Sequence, residues 1–95
     1  MKSLMQEDLT VSYLSGRGGT LEKHHVMNGN QRKKADLWGL WIMVTPEEHR
    51  WLHDTKEGTA KRLELKAEAQ KAFEGTGRPR QFWMNQFHKN YLEGE

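Results

Sequence analysis

Cysteine is absent from the chain, and so are long hydrophobic runs. Without cysteine there are no disulfide bonds, no thiolate ligands for a metal ion and no thiol nucleophile, which is typical of proteins in a reducing compartment. No apolar run approaches the roughly 20 residues that span a bilayer, and residues 1–8 lack the apolar region of a signal peptide. We therefore expect a cytoplasmic protein that makes no contact with a membrane.

Hydrophobic residues are also scarce, at 35% of the 95 positions, although four Trp, three Phe and two Tyr supply large side chains for burial. A chain of this length makes one small domain, residues 1–95, which is only marginally stable without a metal ion or a partner. The sequence contains no repeat and no linker that would divide it. The formal net charge of +2 is, taken alone, weak support for a nucleic-acid partner.

Two stretches predict strands that pair in an antiparallel ribbon. Residues 40–44 form the most apolar run and follow Gly39, which favours a buried strand over a helix. Residues 20–25 are the predicted partner, and the loop between the two strands contains the turn-forming pair Asn28-Gly29. Residues 10–14 contain β-formers in rough alternation, so they predict an N-terminal hairpin with residues 20–25.

A helix is predicted to begin at Pro46. Thr45 can accept a hydrogen bond as the N-cap, proline suits the first helical position, and Glu48 completes a capping box. We expect this helix to end near Glu57, because Gly58 follows as a C-terminal stop.

The remaining third of the chain predicts two helices, which form a C-terminal extension over residues 59–92. Thr59 can cap the first, which runs to about Glu74, and the second follows Pro79. Both carry apolar side chains at helical spacing, which predicts core packing. These side chains are Leu65, Ala69, Ala72 and Phe73 in the first helix, and Trp83, Phe87 and Tyr91 in the second.

Four of the five histidines fall into two pairs. His24 and His25 end the predicted strand before the loop, whereas His49 and His53 lie four residues apart in the predicted helix. Side chains at that spacing point the same way from a helix, so both imidazoles can bind one ion. The pattern therefore predicts a divalent-metal site. His88 stands alone and is interpreted as a surface residue.

Four basic residues near the histidines are candidates for contact with phosphate. In one interpretation they are solvated surface, and the one in the helix pairs with Asp54. In the other they contact a nucleic-acid backbone, which predicts salt-sensitive binding with little sequence specificity. The four are Arg32, Lys33 and Lys34, in a stretch that is either a loop or a short helical turn, and Arg50 beside His49.

Residues 20–54 resemble the HNH, or ββα-metal, nucleases. The pair His24-His25 is similar to the histidine pair of that family, and residues 44–53 resemble the helix half of the colicin-type DNases, where Thr-Pro precedes two metal-binding histidines. The whole chain further resembles small HNH-like proteins encoded by phages and prophages of Gram-positive bacteria. The shared motifs are His24-His25-Val26-Met27-Asn28-Gly29, Arg32-Lys33, Gly39-Leu40-Trp41 and Ala72-Phe73-Glu74.

The resemblance implies an α+β fold, with a ββα-metal core over residues 20–54, an N-terminal hairpin and additional C-terminal helices. It implies a hydrolase that cleaves DNA phosphodiester bonds with one divalent metal ion bound by three histidines, while His25 acts as the general base. Three imidazoles suit Zn²⁺, Ni²⁺, Co²⁺ or Mn²⁺ more than Mg²⁺, which prefers oxygen ligands. The implied ligands are His24, His49 and His53. The implied setting is the bacterial cytoplasm, with a phage packaging or recombination protein as a partner. The resemblance does not specify an oligomeric state.

One part of the family pattern is missing. The central asparagine of that family helps to orient the general base and would fall near Gly39 in this sequence. If no other group orients the base, the protein would bind metal and DNA yet cleave slowly or not at all. Two other hypotheses stay open: a structural zinc module in which all four paired histidines are ligands, and a phage accessory protein of this fold that binds DNA or a protein. The candidates to orient His25 are Asn28, Asn30 and Asp36.

Overall fold

Two short strands pair in an antiparallel sheet in the computed structural model, which describes residues 2–92. Strand β1 spans Glu22–His25 and strand β2 spans Trp41–Val44. In their register, His24 lies opposite Ile42. The predicted pairing of these two stretches is therefore confirmed, although each strand is slightly shorter than expected.

In the described part of the chain, four α-helices complete an α+β fold. The basic stretch after β1 forms one of them, in agreement with the helical alternative for that stretch. Within residues 2–92, no helix combines the length and the apolar character that crossing a bilayer requires. The helices are α1 at Arg32–Leu37, preceded by a 3-10 turn at Gly29–Gln31, α2 at Pro46–Asp54, α3 at Lys56–Glu74 and α4 at Arg80–Phe87.

Helix α2 begins as the sequence predicts. The Thr45 hydroxyl accepts a hydrogen bond from Glu48 N at 3.1 Å, and Glu48 Oε1 accepts one from Thr45 N at 2.9 Å, so the capping box is formed. Ser12 donates to the same carboxylate oxygen at 2.5 Å, which ties the N-terminal segment to this helix. The cap fixes the direction in which α2 leaves β2, and therefore where its side chains lie.

The boundary between α2 and α3 differs from the prediction. α2 stops before Glu57, Gly58 lies inside α3, and the predicted cap Thr59 is also within α3. The reason is Thr55, whose hydroxyl donates to Trp51 O at 2.7 Å and accepts from Gly58 N at 2.8 Å. One residue therefore ends α2 and caps α3.

Gly58 lies where the backbone of α3 is in close contact with the backbone of α2. A Cβ atom on Gly58 would lie 1.9 Å from Trp51 O and 2.7 Å from Leu52 Cα, and both are backbone atoms. Only glycine permits this approach. The contact holds α2, the helix that carries two of the histidines, against α3.

The predicted N-terminal hairpin is wrong, because residues 10–14 form turns and not a strand. The Ser12 hydroxyl accepts hydrogen bonds from Leu14 N at 3.0 Å and from Ser15 N at 3.2 Å. Such bonds from a serine side chain to nearby backbone offer the chain an alternative to a strand ladder. The β-forming side chains of this stretch therefore do not lead to a strand.

The N-terminal segment instead covers the outer edge of β2. Leu4 N donates to Gly39 O at 2.7 Å, just before the strand, and Tyr13 N donates to Met43 O at 2.8 Å. The Gln6 side chain accepts a hydrogen bond from Met43 N at 2.8 Å. The backbone groups of Met43 that face away from β1 are therefore satisfied without a third strand.

The C-terminal helices pack their apolar faces into the core. Ala72 is only partly buried, whereas the rest of the predicted stripe on α3 is completely buried. Aromatic rings on α3 and α4 contact one another edge to face or tilted, with centroids 4.3–6.2 Å apart. The buried side chains are Leu65, Ala69 and Phe73 on α3, and Trp83 and Phe87 on α4.

The last helix is shorter than predicted. α4 ends at Phe87, because His88 adopts the left-handed conformation with a φ of 66°. Tyr91 therefore lies beyond the helix and not on its face. The fully buried Gln70 of α3 accepts a hydrogen bond from Tyr91 N at 2.7 Å, which holds this final segment against the core.

Candidate metal centre

Three histidine side chains converge between β1 and α2. His24 comes from β1, and His49 and His53 come from one face of α2, as the spacing predicts. The potential ligand nitrogens of the three rings all lie within 4.8 Å of one another. The ring centroids are 5.1–5.4 Å apart. Three imidazoles in this arrangement are close enough to hold one metal ion.

His24 is the buried member of this set. Its side chain is 3% exposed, and its Nε2 has no hydrogen-bond partner among the described residues, which is costly unless another group binds it. Burial, followed by the charges of His49 and His53, lowers the pKa of His24 from 6.5 to about 4. The ring is therefore neutral near pH 7, the state in which an imidazole binds a metal ion.

Glu22 belongs to the site although the sequence analysis did not single it out. Its Oε1 lies 2.8 Å from Nδ1 of His49, so the carboxylate accepts the proton of that nitrogen and Nε2 is left as the ligand atom. A carboxylate in this position fixes the tautomer and the orientation of a metal-binding histidine. Strand alternation could have indicated it, since Glu22 and His24 are two residues apart on β1 and share a face.

Glu22→Ala is expected to weaken metal binding about 10- to 100-fold, because the His49 ring loses the group that orients it. Isothermal titration of the metal-free protein with Zn²⁺ or Ni²⁺ measures the change. Glu7→Ala, which removes an exposed carboxylate from the N-terminal segment, is the matched control. Equal affinities for the two variants would contradict the assigned role of Glu22.

His25, the last residue of β1, lines the same cavity as the other three histidines. Its Nε2 lies 3.2 Å from Oδ1 of Asp36, and Lys23 donates to the same oxygen at 2.7 Å. These hydrogen bonds, from Lys23 first and His25 second, hold the pKa of Asp36 below its usual value. Of the three candidates to orient His25, Asp36 makes the contact. Within residues 2–92, no hydrogen bond joins this ring to Asn28 or Asn30.

The place expected for the family's central asparagine offers no side-chain amide. Gly39 has a φ of 72°, and Leu40 is fully buried in the core. Asp36, at the end of α1, is the nearby polar group that contacts the ring of His25. Asp36 therefore contacts His25 from a position three residues before the one at which the resemblance implies an asparagine.

Two arginines lie on different sides of the histidines. Arg32 lines the cavity that contains all four rings, which has a volume of about 330 Å³, and its Nε is 3.4 Å from Nδ1 of His25. Arg50 lines a second depression of about 270 Å³ that shares His49 and His53 with the first. The two guanidinium groups therefore flank the rings of α2.

The two lysines of the basic stretch both lie on α1. Lys33 is exposed. Lys34 is half-buried, and its Nζ donates to Gln86 O at 3.1 Å near the end of α4, where a cation stabilises the terminal carbonyl groups. Lys34 therefore has a structural contact, and binding of phosphate by either lysine stays a prediction.

No protein-family model, curated protein or solved structure matches the chain. The geometry comprises three imidazoles that can hold one ion, a fourth imidazole bonded to a carboxylate, and two flanking arginines. Such a set can bind a metal ion, accept a proton and attract an anion.

Proposed function

We propose that the chain is a metal-dependent endonuclease of the HNH type, in which β1, β2 and α2 form a ββα-metal core. The observation that supports this best is the grouping of four imidazoles in one cavity. Three have ligand atoms within 4.8 Å of one another, and the fourth is bonded to a carboxylate. The three are His24, His49 and His53, and the fourth is His25.

The three-histidine set suits one divalent ion. His24 has a buried nitrogen without a hydrogen-bond partner among the described residues, and Glu22 holds His49 as carboxylates commonly hold metal-binding histidines. Nitrogen ligands favour Zn²⁺, Ni²⁺ or Mn²⁺ over Mg²⁺. When bound, such an ion acts as a Lewis acid that stabilises negative charge on a phosphate group.

His25 is the proposed general base. Asp36 accepts the proton of His25 Nε2, so Nδ1 carries the lone pair. Arg32 Nε donates to Nδ1 over a long 3.4 Å contact, which the attacking water has to displace before Nδ1 can take its proton. The same carboxylate then stabilises the imidazolium that forms, as a carboxylate does for other catalytic histidines. Lys23 keeps Asp36 ionised and in place.

The proposed substrate is DNA, bound mainly through its backbone. Arg32, beside His25, and Arg50, beside His49 and His53, are placed to contact phosphates on the two sides of the histidines. Backbone contacts predict salt-sensitive binding with little sequence preference. The proposal includes a phage-encoded protein that acts in the bacterial cytoplasm with packaging or recombination proteins, and this part is supported by the sequence resemblance alone.

The test is nicking of supercoiled plasmid by the purified protein with Mg²⁺, Mn²⁺, Ni²⁺ or Zn²⁺. We expect metal-dependent nicking that EDTA stops, and a rate about 10²- to 10⁴-fold lower for His25→Ala, because loss of a general base costs that much. Metal affinity of the variant should stay within a few-fold of wild type, since His25 is outside the three-histidine set.

Stoichiometric metal binding without nicking under any of these ions would reject the nuclease and favour a structural or partner-binding role. Nicking that survives in His25→Ala would reject His25 as the base. Asp36→Asn tests the general-base role separately from metal binding. It keeps a side chain of the same size beside the His25 ring and removes the charge that supports the imidazolium.

A further inference from the structure

Three cations follow one side of α3 and continue onto the final segment of the chain. Arg62 and Lys66 are one turn apart, about 6 Å along the helix axis. Lys66 Nζ lies 5.8 Å from the centroid of the Tyr91 ring, and Lys89 Nζ lies 5.3 Å from the same centroid. We refer to Arg62, Lys66 and Lys89 as the α3 cation row.

The α3 cation row begins beside the histidines. Arg62 Nε donates a hydrogen bond to Leu52 O at 2.9 Å, which holds the guanidinium group against α2. Because Leu52 directly precedes His53 on α2, this hydrogen bond places one end of the row beside the helix that carries His49 and His53.

The cations of this row have no anionic partner in the part of the chain that the structure describes. Within residues 2–92, no carboxylate forms an ion pair with any of the three. Burial first, and then the charges of Arg62 and Lys89, lower the pKa of Lys66. Like charges at this spacing repel one another, so the row destabilises the protein when nothing is bound to it. A polyanion along the row would remove that repulsion.

We propose that the α3 cation row binds the phosphate backbone of DNA where the strand leaves the histidine cavity. The choice of DNA rests on the proposed function, whereas the row itself requires only a polyanion that reaches the cavity. Both ammonium groups lie within cation–π distance of the Tyr91 ring, which attracts them. Contacts of this kind position a nucleic acid without reading its sequence.

The test is DNA binding by Lys66→Gln/Lys89→Gln, measured by fluorescence anisotropy of a labelled duplex in the presence of Zn²⁺. A His25→Ala background prevents cleavage without changing the row. We expect binding about tenfold weaker at low salt, and a plot of log affinity against log salt concentration that is flatter by about 2, because two phosphate contacts are lost. Lys2→Gln/Arg17→Gln, which removes two exposed charges from the N-terminal segment, is the control and should change binding far less.

Equal losses in the row variant and the control overturn the inference, as does tighter binding of the protein to anionic phosphatidylglycerol vesicles than to DNA. Circular dichroism checks folding, and the exposed Lys89→Gln is measured alone if the double variant unfolds. The nuclease is tested separately by nicking. A protein that binds DNA through the row but never nicks keeps this inference and loses the nuclease. One that nicks while the row variant binds normally loses this inference only.

Discussion

Replacing His53 with alanine is expected to lower the affinity for a divalent metal ion about 100-fold or more, so that stoichiometric binding is lost. The reason is that each ligand contributes to the free energy of metal binding, and this variant removes one of the three. Within residues 2–92, His53 provides one of the three ring nitrogens that lie within 4.8 Å of one another. It is also the exposed member of the set, so its removal leaves the core unchanged. Calorimetric titration with Zn²⁺ and Ni²⁺ measures the loss.

His88→Asn is the matched control for this experiment. It also removes one imidazole, and asparagine tolerates the left-handed conformation that His88 adopts at the end of α4. We expect its metal affinity to equal that of wild type. If His53→Ala bound one ion as tightly as His88→Asn does, His53 would not be a ligand.

Gly58→Ala is expected to lower the free energy of unfolding by about 3 kcal/mol or more, because overpacking that displaces backbone is expensive. An interior glycine replaced by alanine usually stabilises a helix by about 1 kcal/mol, so the predicted effect has the opposite sign. The new Cβ would lie 1.9 Å from Trp51 O, an atom that cannot rotate away. Urea unfolding of the metal-free protein measures the change. Metal affinity should fall as well, since α2 must shift away from α3.

Gly18→Ala is the control for the same chemical change in open space. Its Cβ would have one neighbour, Thr10 O at 3.7 Å, which is an ordinary contact. We expect stability to change by no more than about 1 kcal/mol, and in the stabilising direction. Similar unfolding midpoints for Gly58→Ala and wild type would show that the helices do not approach as closely as described.

The elements that could be predicted from sequence are those set by neighbouring residues. The Thr45–Glu48 capping box and the apolar run of β2 are each determined by residues close together in sequence. The start of α2 and the position of β2 are therefore as expected. The errors arise where distant contacts override local preference. Gly58 suggests a helix end locally, but its role is to admit the backbone of α2. Residues 10–14 suggest a strand, but Ser12 closes a turn there.

The site shows the same division. Histidine spacing on α2 predicts that His49 and His53 share a face, whereas His24 was expected as the third ligand only from the resemblance to the HNH nucleases. The contact of Glu22 with His49 depends on how α2 crosses β1, which spacing does not specify. Which of Asp36, Asn28 and Asn30 contacts His25 depends in the same way on the position of the last turn of α1, which the sequence does not specify.

Covering the outer edge of β2 also limits how other chains can bind this molecule. An open strand edge offers unpaired N–H and C=O groups to any extended peptide, and it is a common route to edge-to-edge aggregation. Here Leu4, Gln6 and Tyr13 already occupy such groups at Gly39 and Met43. A protein partner therefore cannot bind by adding a strand at this edge of β2, and any contact with this side of the sheet has to involve side chains.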